Sequence, residues 1–188
     1  MTNELSELMK RAADATAPVV RGVRDDQLTA PTPCESFDVR ALLNHVFHGL
    51  ASFRLLAAGE AVDGGEAPDY LDGDWRDRYE REVRELADSW AAEGALEGTA
   101  EAMGIPWHTL AQLVLGDITV HAWDLARATG QEYTPDAGAV EETGTLFARM
   151  GPAGVEAQQF APAVDVPEGA DAFTVMIGAT GRDPGWTP

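Results

Sequence analysis

WHTLAQLVLGDITVHAWDLARATGQ, residues 107–131, decides the fold, because apolar residues recur in it at Leu110, Leu113, Val114, Leu125 and Ala128. That is the i, i+3, i+4, i+7 spacing of a helix with one buried stripe. Asp117, His121 and Asp124 fall on the same stripe. A carboxylate and an imidazole four positions apart stack on one helical face, roughly 6 Å between β-carbons, so both reach a single ion or ligand. Burying them unpartnered costs several kcal/mol. Three things can satisfy them: a metal ion, a hydrogen-bonded pairing with each other, or polar groups on a facing helix. Gly130 reads as the residue that ends this helix.

Outward from this stretch, the spacing predicts more helices. Residues 4–23 carry Leu5, Leu8, Ala12, Ala15 and Val19 on one stripe, with Pro18 as a predicted kink or end. Residues 24–37 contain Pro31 and Pro33 and read as a loop. Ser36 or Asp38 can cap a second helix, buried along Val39, Leu42, Leu43, Val46, Leu50, Phe53 and Leu56. His45 is expected on that buried side beside Leu42, flanked by Asn44 and His48. Gly59 to Gly73 reads as a long surface crossover. Trp75, Tyr79, Val83, Leu86 and Trp90 mark a third helix, and 94–106 an irregular patch. Beyond the central helix, Val140, Leu146, Phe147 and Met150 predict a shorter helix after Asp136, ended by Gly151-Pro152. Residues 153–188 read as a tail wrapping the bundle, with a short helix near 170–179 or a short strand at 173–177. The expected fold is all-α: a single domain, 1–188, built as a four-helix bundle with long crossover connections and a C-terminal extension. Bundle cores of this kind hold metal sites.

Composition bounds the partners. At 188 residues the chain is long enough for a real core without staples. Thirteen Lys plus Arg against 32 Asp plus Glu leave a net charge of −19, which repels phosphate backbones and anionic lipid. Nucleic-acid and membrane partners are therefore not expected. One cysteine, Cys34, excludes an internal disulfide and a Cys-rich zinc module. No secretory signal pattern or spanning apolar run is read, so a cytoplasmic location is expected. Acidic residues in 63–82 read as a solvated face, and the tryptophans at 75, 90, 107 and 123 as core.

Three residues stand out: His45 on the second helix, and Asp117 and His121 on the central one. Two imidazoles and a carboxylate hold a divalent ion and leave coordination positions open, as in catalytic sites. His48 or Asp124 can supply a fourth ligand, orient an imidazole through its other nitrogen, or transfer protons. The plainer alternative is that both histidines are core-edge residues hydrogen-bonded to a carboxylate or carbonyl. Cys34 reads as packing rather than as a nucleophile or ligand, since neighbouring Glu35 disfavours a thiolate.

The runs PTPCESFDVRALLNHVFHG, GDITVHAWDLARATGQ and the late GRDPGW resemble actinobacterial metal-binding proteins related to the N-terminal domain of mycothiol-dependent maleylpyruvate isomerase, within the DinB/YfiT-like superfamily. The resemblance runs from about Leu5 to Trp186. It implies a divalent ion held by His45, Asp117 and His121, zinc first, with nickel or iron as alternatives. Asp117 stands where the thiol-dependent isomerase has glutamate, one methylene longer. Mycothiol is the implied low-molecular-weight thiol cosubstrate.

The first functional expectation is a thiol-dependent S-transferase or isomerase-like enzyme, with a small-molecule thiol and an electrophilic substrate as partners. Maleylpyruvate itself is not the expected substrate, because a further C-terminal domain contributes to that isomerase's active site and this chain reads as ending without it. The second is a non-enzymatic metal-binding or interaction module stabilised by the ion. A third, a metal-free bundle with a polar core, stays open, as does a homodimer.

Overall fold

The computed structural model describes residues 4–60, 62, 68–101, 104–157 and 159–188. Six helices carry the fold: α1 (Glu4–Gly22), α2 (Val39–Ala57), α3 (Trp75–Ser89), α4 (Trp107–Thr129), α5 (Ala137–Glu156) and α6 (Ala172–Ala179). The fold is the all-α, DinB-like bundle that the periodicity and the resemblance indicated. Within it α1 and α2 each pack against both α3 and α4. The apolar stripes meet in one core that includes Met9, Ala13, Leu43, Phe47, Tyr79, Val83, Leu86 and Leu115.

Local chemistry explains several of the helix ends. Asp38, not Ser36, caps α2, its side chain accepting from the Ala41 N–H at 2.8 Å. Asp136 and Asp171 cap α5 and α6 in the same way, accepting from the N–H groups of Ala139 and Thr174. Gly130 ends α4 in the left-handed region, φ 69°, where glycine has no steric penalty. Helix α1 runs through Pro18 to Gly22 instead of stopping before it. A proline inside a helix costs about 3 kcal/mol, and burial of Val19, Val20 and Val23 just beyond offsets that. At its C-terminal end the Gln131 side chain donates to the Val19 carbonyl at 3.0 Å, tying α1 to the end of α4.

Three expectations need correction. Helix α4 is not buried along one stripe: from Leu110 to Thr129 only Leu113, Asp117 and Arg127 keep appreciable exposure. It is covered on one side by the bundle and on another by a second core, in which Val120 and Trp123 pack with Val140, Phe147, Met176 and Ile177. Residues 153–188 are thus not merely a wrapping tail. Helix α5 kinks at Gly151 and continues to Glu156, and of the two expectations for the tail the helix near 170–179 forms, as α6, in place of a strand at 173–177. The patch at 94–106 contains a two-residue antiparallel ladder, β1 (Thr99–Ala100) with β2 (Ile105–Pro106), in register Thr99 to Pro106 and Ala100 to Ile105.

The middle of the expected crossover, including Gly64 and Gly65, lies outside the described residues. Its far end runs along α2, where the Tyr70 N–H donates to Asn44 Oδ1 at 2.7 Å and Arg40 pairs with Asp69 at 2.7 Å. Farther on, Asp77 and Glu80 pair with Arg21, and Glu82 with Arg78, so part of the acidic face is neutralised. No helix of the described residues is long and apolar enough to cross a membrane.

Candidate metal centre

Packing of α2 on α4 sets His45 opposite Asp117, and the helical repeat sets His121 one turn beyond Asp117. Asp117 Oδ1 lies 3.5 Å from His45 Nε2 and 3.1 Å from His121 Nε2. The two imidazoles meet edge to face, with ring centroids 5.1 Å apart. One donor atom from each residue lies within 4.8 Å of the other two, and no other such trio of His, Cys, Asp or Glu occurs among the described residues.

Those separations suit a metal ion. Bonds of about 2.0–2.1 Å in a tetrahedral shell put neighbouring donors about 3.3 Å apart. Two of the distances here bracket that value, and the His45–His121 separation lies within 4.8 Å. The trio is graded in exposure. The His121 side chain is 8% exposed, Asp117 34% and His45 41%, so the cluster is closed behind His121 and open to solvent at Asp117 and His45. His45 is therefore not on the buried side of α2. The stripe Leu42, Leu43, Val46 turns inward, and His45 stands one step off it at the rim, stacked on Phe37 at 5.1 Å.

Behind the trio stands a second polar layer. His121 Nδ1 lies 2.8 Å from Asp124 Oδ2, leaving Nε2 to face Asp117. Asp124 is fully buried and also accepts two hydrogen bonds from Arg182, Nε to Oδ1 at 3.2 Å and Nη2 to Oδ2 at 3.0 Å. Burial opposes charge on Asp117, yet His121 and His45 outweigh it and hold the carboxyl well below the usual carboxylate range. Burial pulls His121 down, but Asp117 and Asp124 on either side outweigh it and raise it to about 9. Asp124 is likewise held low by His121 and Arg182 against the cost of burial.

Of the other sequence candidates, His48 is not in the trio. Its Nδ1 lies 3.2 Å from the Tyr70 hydroxyl, and with Asn44 and Phe37 it lines an open depression of about 470 Å³ beside His45. Cys34 is half-buried and outside the donor cluster. Burial pushes its thiol up; Arg182 opposes this, while Asp124 and Asp117 add to it. It is a neutral thiol, as Glu35 beside it suggested for other reasons. Sequence reading gave no role to Arg182 or Phe37. The only signal for Arg182 was its place in the GRDPGW run.

A helical bundle with a two-histidine, one-carboxylate cluster between two of its helices defines the class. Residues 9–126 match the family described as the mycothiol maleylpyruvate isomerase N-terminal domain, and this chain belongs to that family. Two uncharacterised proteins from two strains of Mycobacterium tuberculosis are each 33% identical over 146 residues, covering 76% of this chain and 78% of their own length. No solved structure matches the chain.

Proposed function

We propose that the protein binds a divalent ion, zinc first, through His45, Asp117 and His121, and uses it in a thiol-dependent transfer or isomerisation with mycothiol as the thiol. The observation that carries this reading is the asymmetry of the trio: three donors converge, one buried and two at an open rim. A structural ion is enclosed by four protein ligands, whereas three ligands and an open side leave room for an exchangeable one. When bound, the ion supplies a positive charge that lowers the pKa of a sulfur ligand and favours its thiolate.

The chain's own residues would do the rest. Asp124 holds the proton on His121 Nδ1 and so keeps Nε2 available. Phe37 limits the tilt of the His45 ring from one face. The depression lined by Phe37, Asn44 and His48 adjoins the open side and would seat the organic part of a substrate. In the transfer, sulfur forms a bond to an electrophilic carbon and the leaving group departs with its electron pair. The thiol proton is lost beforehand to solvent or to His48 at the rim.

The test is conjugation of mycothiol to 1-chloro-2,4-dinitrobenzene by zinc-loaded protein, followed by absorbance. The expected result is a rate above the uncatalysed one that chelator abolishes and Asp117→Ala lacks. A rate equal to the uncatalysed one, with the same result for a panel of other electrophiles, would remove the enzymatic reading.

A further inference from the structure

We propose that Arg182 is a positioning residue of this metal centre. By clamping Asp124 it fixes the His121 ring with Nε2 toward Asp117 and His45, making the segment after α6 part of the site. This rests on the metal reading above.

Three observations carry it. Arg182 meets Asp124 with two parallel hydrogen bonds, the geometry that restrains a carboxylate plane as a single contact does not. Asp124 Oδ2 is at once the acceptor for Arg182 Nη2 at 3.0 Å and the partner of His121 Nδ1 at 2.8 Å, so restraint passes directly to the imidazole. The Arg182 side chain is only 10% exposed, and Asp124 is fully buried. Among the described residues, Arg182 is the one arginine or lysine that pairs with Asp124.

The backbone is built to deliver this side chain. Helix α6 ends with the Arg182 N–H donating to the Ile177 carbonyl at 3.3 Å and the Gly181 N–H to the Gly178 carbonyl at 3.0 Å, a Schellman closure. Gly181 occupies its left-handed position at φ 80°, where a Cβ would also lie 2.5 Å from that of Ala161. Arg182 Nη1 then donates to the Thr180 carbonyl at 3.2 Å. Farther along, Arg127 Nε on α4 holds the Trp186 carbonyl at 3.0 Å, an independent tether for the same segment. Arg182 lies beyond residues 9–126, so the match that defines the family does not include it.

Cobalt(II) titration of the full chain, read by visible absorption, tests this. Wild type, Arg182→Met, Arg182→Lys, Asp124→Asn and the Asp124→Asn/Arg182→Met pair would be compared. Arg182→Met is expected to weaken cobalt binding about tenfold or more and alter its ligand-field bands. Arg182→Lys should recover part of the loss, and the double variant should bind no more weakly than Asp124→Asn alone. Arg127→Met, which frees the second tether without touching Asp124, should leave affinity and bands unchanged. If Arg182→Met fails to fold, Arg182→Lys and the double variant, in which no lone carboxylate is stranded, carry the comparison. Wild-type affinity and bands in the Arg182 variants would overturn the proposal alone. No cobalt binding by wild type would overturn the metal reading and this one with it.

Discussion

Asp117 carries the sharpest question at the level of single residues, because aspartate is one methylene shorter than the glutamate that the resemblance implies at this position. Its Oδ1 already lies 3.1 Å from His121 Nε2 and 3.5 Å from His45 Nε2, so the shorter side chain is matched by these helix positions. Asp117→Glu should therefore still bind zinc but more weakly than wild type, while Asp117→Ala should lose it; competition with a chromophoric chelator measures both. A second consequence concerns protons. In the metal-free protein His121 is raised from its ordinary 6.5 to about 9, so folding favours its protonated form. That contribution is full below about pH 6.5 and is lost as pH rises through about 9. Urea midpoints of metal-free protein should fall across that window, and His121→Gln should flatten the fall. Zinc affinity should change in the opposite sense, rising with pH, because the metal displaces that proton. His121, Asp117 and Asp124 were legible because a helical repeat brings positions 117, 121 and 124 onto one face. Arg182 was not, since its partner is 58 positions away in the chain and only the fold joins them.

At the scale of elements, the stripes of α1, α2 and α3 were readable because each buries one face and leaves the rest to water, which imprints a 3.6-residue period. Helix α4 misled for the opposite reason. It is packed on two sides, so apolar and small residues occupy nearly its whole circumference and a single stripe understates its burial. Gly116 marks the second contact. A Cβ there would lie 2.5 Å from Phe147 Cζ, so α5 approaches α4 more closely than a larger residue permits. Gly116→Val should destabilise the protein by about 1–3 kcal/mol through overpacking, read from the urea midpoint. No loss would mean that Phe147 swings aside freely and that α5 is only loosely seated. Helix α6 was ambiguous because AFTVMIGA is almost wholly apolar, and a short apolar run fits a strand as well as a helix. Asp171, whose side chain accepts from the Thr174 N–H at 3.0 Å, settles it as a helix.

For the whole molecule, the bundle class was readable from four long helical segments, while the second layer formed by α5 and α6 was not. Residues 153–188 contain four prolines and little periodicity, so the sequence leaves their helix open against a strand and its packing on Val120 and Trp123 cannot be read there. Because α4 contributes to both cores, neither can be dismantled while the other keeps its packing. Unfolding of residues 1–188 should therefore follow one transition, with far-ultraviolet circular dichroism and tryptophan fluorescence coinciding in urea. Two separated transitions would instead divide the chain into independent units. The central claim is the ion between α2 and α4, and the most direct test is metal content by inductively coupled plasma mass spectrometry on untagged protein, beside His121→Ala prepared identically. Near-stoichiometric zinc, or nickel or iron, in the wild type and its loss in the variant is the predicted result. No metal in the wild type, even after incubation with divalent ions, would contradict it.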